Sequence, residues 1–182
     1  MITGDLVYPD ALVAADRYAR HFHPDRLTAA PTRHFAVLTC MDARLDLFRL
    51  LGLEIGDAHI VRNAGGRATD DAVRSLVLSS HRLGTREFAV IHHTGCGLFG
   101  VTNAELHKQV AAATGVDSAW LDFHPFADLN ESIRDDVERI RTCALLPQDA
   151  VVWGASYDVA TALLRVVVPP TPLASPTTAA AD

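Results

Sequence analysis

Apolar positions along the chain alternate between short continuous runs and runs at helical spacing. Leu12, Ala15, Tyr18, Ala19 and Phe22 recur every three or four residues, so Asp10 to Phe22 reads as an amphipathic helix, with Pro9 in its first turn. It precedes every strand and has no evident partner in sequence, so it can pack on its own domain or on another subunit. Phe35 to Leu38 is the first buried strand, and Leu45, Phe48 and Leu51 fit a short helix closed by Gly52. Ala58 to Arg62 reads as a second strand, followed by the loop Asn63-Ala-Gly-Gly66. Thr69 can cap the next helix, whose inner face carries Val73, Leu76, Val77 and Ser80, and Gly84 ends it. Phe88 to Ile91 is the third strand.

Beyond it, Thr102-Asn-Ala-Glu105 and Asp128-Leu-Asn-Glu131 both have the capping-box pattern. The first opens a helix through about Ala112. The second precedes Ile133, Val137 and Ile140, which face inward. Residues 114–127 look irregular, with Trp120, Phe123 and Phe126 expected to fold back onto the core. Ala150 to Trp153 is a fourth strand, and Leu163 to Val168 is a fifth run able to return as an edge strand. Strands alternating with helices predict an α/β fold, with a mostly parallel central sheet flanked by helices and a possible antiparallel edge strand. Residues 1–168 are expected to form a single domain. The Pro/Ala/Thr-rich stretch 169–182 is expected to be a disordered tail.

A length of 182 residues suits one domain with a sizeable core. The net charge of −6 argues against nucleic acid as the main partner, and no apolar run is long enough for a membrane span. The first ten residues lack a basic segment followed by an apolar one, so no signal peptide is expected. Three cysteines are too few for a disulfide framework. A cytoplasmic protein is the expectation, with cysteine serving chemistry or metal binding.

Two stretches carry that chemistry. Cys40-Met-Asp-Ala-Arg44 follows the first strand, and His92-His-Thr-Gly-Cys-Gly97 follows the third. In open parallel sheets, ligands gather beyond the carboxyl ends of strands, where both stretches lie. His93-x-x-Cys96 alone is a weak signal, but a further thiolate at another strand end suits zinc, with Cys40, His93 and Cys96 as ligands. Three protein ligands leave a fourth position for water, which is the catalytic rather than the structural pattern. The alternatives are a Cys40–Cys96 disulfide or two inert buried thiols. Cys143 reads as inert. His92, one residue out of register for ligation, reads as a packing histidine or a support for a ligand. Asp42 and Arg44 form a surface ion pair or, beside a zinc site, a working dyad. In the dyad Arg44 holds Asp42 as an acceptor that orients zinc-bound hydroxide, or releases it to close the fourth position.

Cys-x-Asp-x-Arg followed by His-x-x-Cys-Gly resembles the β-class carbonic anhydrases, and more specifically a short bacterial subgroup with Cys-Met-Asp-Ala-Arg. The loop at Arg62–Gly65 and the helix start at Thr69–Asp71 are similar to the same family. The resemblance implies one Zn2+ per chain held by Cys40, His93 and Cys96, with Asp42 and Arg44 catalytic. It implies reversible hydration of carbon dioxide to bicarbonate and a proton, and a homodimer or dimer-based tetramer whose N-terminal helix reaches across to the partner. Ala43 stands where many members carry serine. The subgroup also resembles hydrolases of carbonyl sulfide or carbon disulfide, so that substrate class stays open. A non-catalytic zinc-stabilised binding module is a further alternative. Arg44 argues against it, because a permanently closed site has no use for that arginine.

Overall fold

The fold was analysed in a computed structural model that describes residues 7–25 and 27–174. Among the described residues, five strands form one sheet in the order β2-β1-β3-β4-β5. They are β1 (Phe35–Cys40), β2 (Ala58–Asn63), β3 (Glu87–His93), β4 (Val151–Tyr157) and β5 (Leu164–Pro172). The first four run parallel, and β5 pairs antiparallel with β4. The helices are α1 (Val7–Ala19), α2 (Leu47–Leu51), α3 (Asp70–Leu83), α4 (Asn103–Thr114) and α5 (Leu129–Arg141).

The continuous apolar runs become β1 and β3 because these strands are covered on both faces. Every residue of β1 is buried, as are Phe88 to His93 of β3. Ala36, Leu38, Phe88, Val90 and Val152 point to one face, where Leu76 of α3 and Ile133, Val137 and Ile140 of α5 meet them. Val37, Ala89 and Ile91 point to the other, toward Leu47 of the short α2 and Leu53. This second layer is thin. Ile60, Trp153, Tyr157 and Leu164 are only partly buried there. From β1 the chain moves outward to β2 and then returns past β1 to β3. The sheet therefore reverses its order between β1 and β3, the two strands whose ends carry the candidate ligands.

Helix ends follow local chemistry. Thr69 caps α3 through Ala72 N–H, and Thr102 with Glu105 forms a complete capping box on α4. At α5, Asp128 accepts from the N–H groups of Asn130 and Glu131, but the Glu131 carboxylate pairs with Arg134 instead of reaching back. That site is an N-cap and not the full box its sequence suggests.

Three other expectations need correction. The first helix lies at Val7–Ala19 rather than Asp10–Phe22, and a turn through His21 and Phe22 follows it. Trp120 is 82% exposed and does not return to the core, whereas Phe126 does. The last strand continues past Val168 to Pro172, with Leu173 buried behind it, so residues 169–174 belong to the sheet edge. An edge strand tolerates Pro169, Pro170 and Pro172 because their missing N–H groups need not serve a second neighbour. Residues 175–182 of the expected tail lie outside the described residues.

Candidate metal centre

Cys40 is the last residue of β1, and β2 lies beside it in register, with Cys40 opposite Asn63. Met41 N–H donates to the Asn63 carbonyl, so the chain leaving Cys40 stays tethered to β2. On β3, His93 is likewise the last residue, and Thr94 N–H donates to the Tyr157 carbonyl of β4. Gly95 then takes a left-handed conformation (φ 64°) and turns the chain so that Cys96 comes back toward Cys40.

The result is a buried cluster. One donor atom each from Cys40, His93 and Cys96 lies within 4.8 Å of the others, a group that can hold a metal ion. The two sulfurs are 4.0 Å apart, and both cysteines are free. Two thiolates on one tetrahedral zinc stand about 3.8 Å apart, given Zn–S bonds of about 2.3 Å. The imidazole is oriented for the same task. His93 Nδ1 faces the Thr94 carbonyl at 2.9 Å and so carries its proton, which turns the Nε2 lone pair inward. That Nε2 is buried and, among the described residues, without a hydrogen-bond partner. A buried lone pair with no donor, facing two thiols, fits a metal cation. The hydrogen bond from the Cys96 thiol pulls Cys40 below the ordinary thiol range, and the resulting thiolate pushes Cys96 up.

Asp42 and Arg44 sit at the rim of this cluster. Arg44 Nε and Nη2 donate to the two Asp42 oxygens at 2.9 and 2.7 Å, and the Arg44 backbone N–H donates to Oδ1 at 2.9 Å. Arg44 Nη2 also reaches the Gly95 carbonyl at 2.9 Å, which ties the pair to the turn bearing Cys96. Asp42 Oδ2 is 3.8 Å from His93 Nε2. The Arg44 side-chain and backbone donors hold the Asp42 carboxyl well below the usual carboxylate range. Asp42 is thus an acceptor-only group facing the same space as the three candidate ligands.

Sequence reasoning singled out these five residues, and the fold brings them together. It missed Arg62. From the end of β2, that guanidinium donates to the carbonyls of Cys40 (3.0 Å), Asp42 (2.6 Å) and Leu45 (3.3 Å), gripping the loop from inside. An arginine closing a strand beside a candidate-ligand loop was the available signal. Gly66 is the other missed contributor. Its φ is +71°, and a Cβ there would lie 2.8 Å from Cys40 N, so only glycine lets the 64–66 turn rest on the strand end.

An α/β sheet with a Cys/His/Cys cluster at its switch point defines a metalloenzyme scaffold. Comparison with known proteins gives the family. The carbonic anhydrase family profile matches residues 35–151. The chain is 38% identical over 143 residues to β-carbonic anhydrase 1 of Mycobacterium tuberculosis, covering 79% of this chain and 87% of that protein. It is 34% identical to a carbon disulfide hydrolase of an Acidianus species, covering 73% of this chain and 76% of the relative. The crystal structure of a carbonic anhydrase from Streptococcus mutans superposes with a TM-score of 0.85 at 42% identity, covering 91% of this chain and 99% of that one. The chain belongs to the β-carbonic anhydrase family and carries that family's type of enzymatic metal site.

Proposed function

We propose that the chain binds one zinc ion through Cys40, His93 and Cys96 and reversibly hydrates carbon dioxide to bicarbonate and a proton, with Asp42 and Arg44 as its catalytic dyad. The observation that carries this reading is the buried, unpartnered Nε2 of His93 beside two free thiols. Bound there, zinc would supply the Lewis acidity that brings the pKa of a water down to about 7. Asp42, kept ionised by Arg44, accepts the hydrogen of the attacking nucleophile and so aims its oxygen lone pair at the substrate carbon. Arg44, anchored on the Gly95 carbonyl, fixes that carboxylate relative to the Cys96 turn. Leu45, Leu98 and Phe126 pack around the two cysteines and lower the local dielectric, which strengthens each of these interactions.

We further read the working unit as a homodimer. Residues 10–19 of α1 are exposed along their whole length, with Leu12 at 51% and Val13 at 67%, and the α2 face of the sheet is thinly covered. A second copy laying α1 across that face buries both. Free cysteines favour a reducing, cytoplasmic setting.

Carbon disulfide hydrolases at 34% identity favour a second reading, in which the same site hydrolyses a sulfur analogue of carbon dioxide. Both readings need Asp42. Asp42→Asn is expected to retain zinc and lose about 100-fold or more of the rate. Full activity in that variant, with zinc content unchanged, removes Asp42 from the mechanism.

A further inference from the structure

A second buried polar cluster lies directly behind the candidate ligands. Asp136 sits on the inner face of α5 among Ile133, Val137 and Ile140, only 4% exposed. Arg67 Nε donates to Asp136 Oδ2 at 2.7 Å and Nη2 to Oδ1 at 3.4 Å, while Nη1 donates to the His124 carbonyl at 3.3 Å. His92 is fully buried. Its Nε2 lies 3.2 Å from Asp136 Oδ2 and 3.2 Å from the Gly66 carbonyl, two acceptors, so this nitrogen carries a proton. Its Nδ1 meets the Ser132 hydroxyl at 2.9 Å, which also reaches the Leu129 carbonyl at 2.9 Å.

The cluster joins the two strands that bear candidate ligands. His92 immediately precedes His93 on β3. Gly66, which accepts from His92, rests on the backbone of Thr39 and Cys40 at the end of β1. Arg67, next to Gly66, is held by the same carboxylate that holds His92. A single buried Asp136 therefore fastens the 63–67 loop from two sides and seats it on Cys40.

We propose that Asp136 is a positioning residue for the metal site: through His92 and Arg67 it clamps the 63–67 loop onto Cys40 and fixes Cys40 relative to His93. A buried ion pair is a poor source of stability compared with apolar side chains of the same volume. Its placement against the candidate-ligand strands gives it a reason to be there. Loosening the clamp lets Cys40 and His93 separate, and the ion leaves faster.

This inference rests on the zinc reading above. The test uses full-length zinc-loaded protein and two readouts: zinc release to a chromogenic chelator, and the visible spectrum after cobalt substitution. Asp136→Asn is expected to release zinc about tenfold faster and to shift the cobalt bands, with far-UV circular dichroism unchanged. Ile140→Val, on the same helix face but outside the cluster, is expected to change neither. Release and spectrum equal to wild type in Asp136→Asn overturn the proposal. So does equal acceleration in Ile140→Val, because the effect would then be a general loss of stability. If Asp136→Asn does not fold, Ser132→Ala decides: faster release and a shifted spectrum support the clamp, and wild-type behaviour overturns it. A wild type that binds no zinc removes the zinc reading itself, whereas a wild type that holds zinc beside unaffected variants removes the clamp alone.

Discussion

Asp136 carries a charge in the middle of an apolar helix face, and its partners determine how acid affects the fold. Burial by itself would raise its carboxyl, but the His92 hydrogen bond and the Arg67 charge outweigh that and hold it below the usual carboxylate range. A group depressed in the folded state contributes stability that is present above its unfolded value, about 4, and is lost as pH falls through the folded value. Denaturation midpoints should therefore fall more steeply below about pH 4 in the wild type than in Asp136→Asn. Parallel slopes would show that the carboxylate contributes nothing to acid sensitivity. The five candidate site residues could be singled out in sequence because thiols, an imidazole and a carboxylate–guanidinium pair are chemically distinctive at strand ends. The clamp was not. His92 meets Gly66, Ser132 and Asp136, residues brought together by the crossing of α5 over β3, and no local spacing encodes that crossing.

At the scale of elements, hydrophobic pattern and capping chemistry located the five strands and the helices α1 to α5, though the short 3-10 helix Ala64–Gly66 was read as a loop, and the errors have physical causes. Prolines at 169, 170 and 172 suggested that the chain had left the sheet, yet an outermost antiparallel strand can accommodate them. Trp120 was assigned to the core on residue type alone, and the segment after α4 instead leaves it in solvent. Gly154 is a position set by packing that the hydrophobic pattern did not flag. It lies in β4 where α5 crosses closest, so that a Cβ there would collide with Ile133 Cγ2 and lie 2.8 Å from Val137 Cγ2. Gly154→Ala is expected to cost about 1–3 kcal/mol through overpacking, measured by urea denaturation. A variant as stable as the wild type would mean that α5 has room to shift. Because α5 also carries Asp136 and Ser132, any such shift should appear at the metal site as well.

For the whole molecule, the single chain leaves much apolar surface uncovered. Leu12, Val13, Tyr18 and Phe22 of the N-terminal segment are exposed, as are Phe48 and Ile55 across the groove from its end. An isolated amphipathic helix is marginal in water, so the proposed homodimer would give this exposed helix a surface to order on. Sedimentation should give twice the 19.6 kDa chain mass or a multiple of that dimer, and Leu12→Asp with Tyr18→Asp should shift the protein toward the monomer. A wild type that sediments as a monomer at micromolar concentration would contradict this assembly. The sequence could not resolve substrate choice, because the chain is similar both to carbonic anhydrases and to carbon disulfide hydrolases. The most direct measurement is stopped-flow assay of carbon dioxide hydration and of carbonyl sulfide and carbon disulfide hydrolysis, side by side, on protein of measured zinc content at about pH 8.5. The predicted result is about one zinc per chain and carbon dioxide hydration far above the buffer rate, with the two sulfur substrates slower. Zinc-loaded protein that hydrates carbon dioxide no faster than buffer would contradict it.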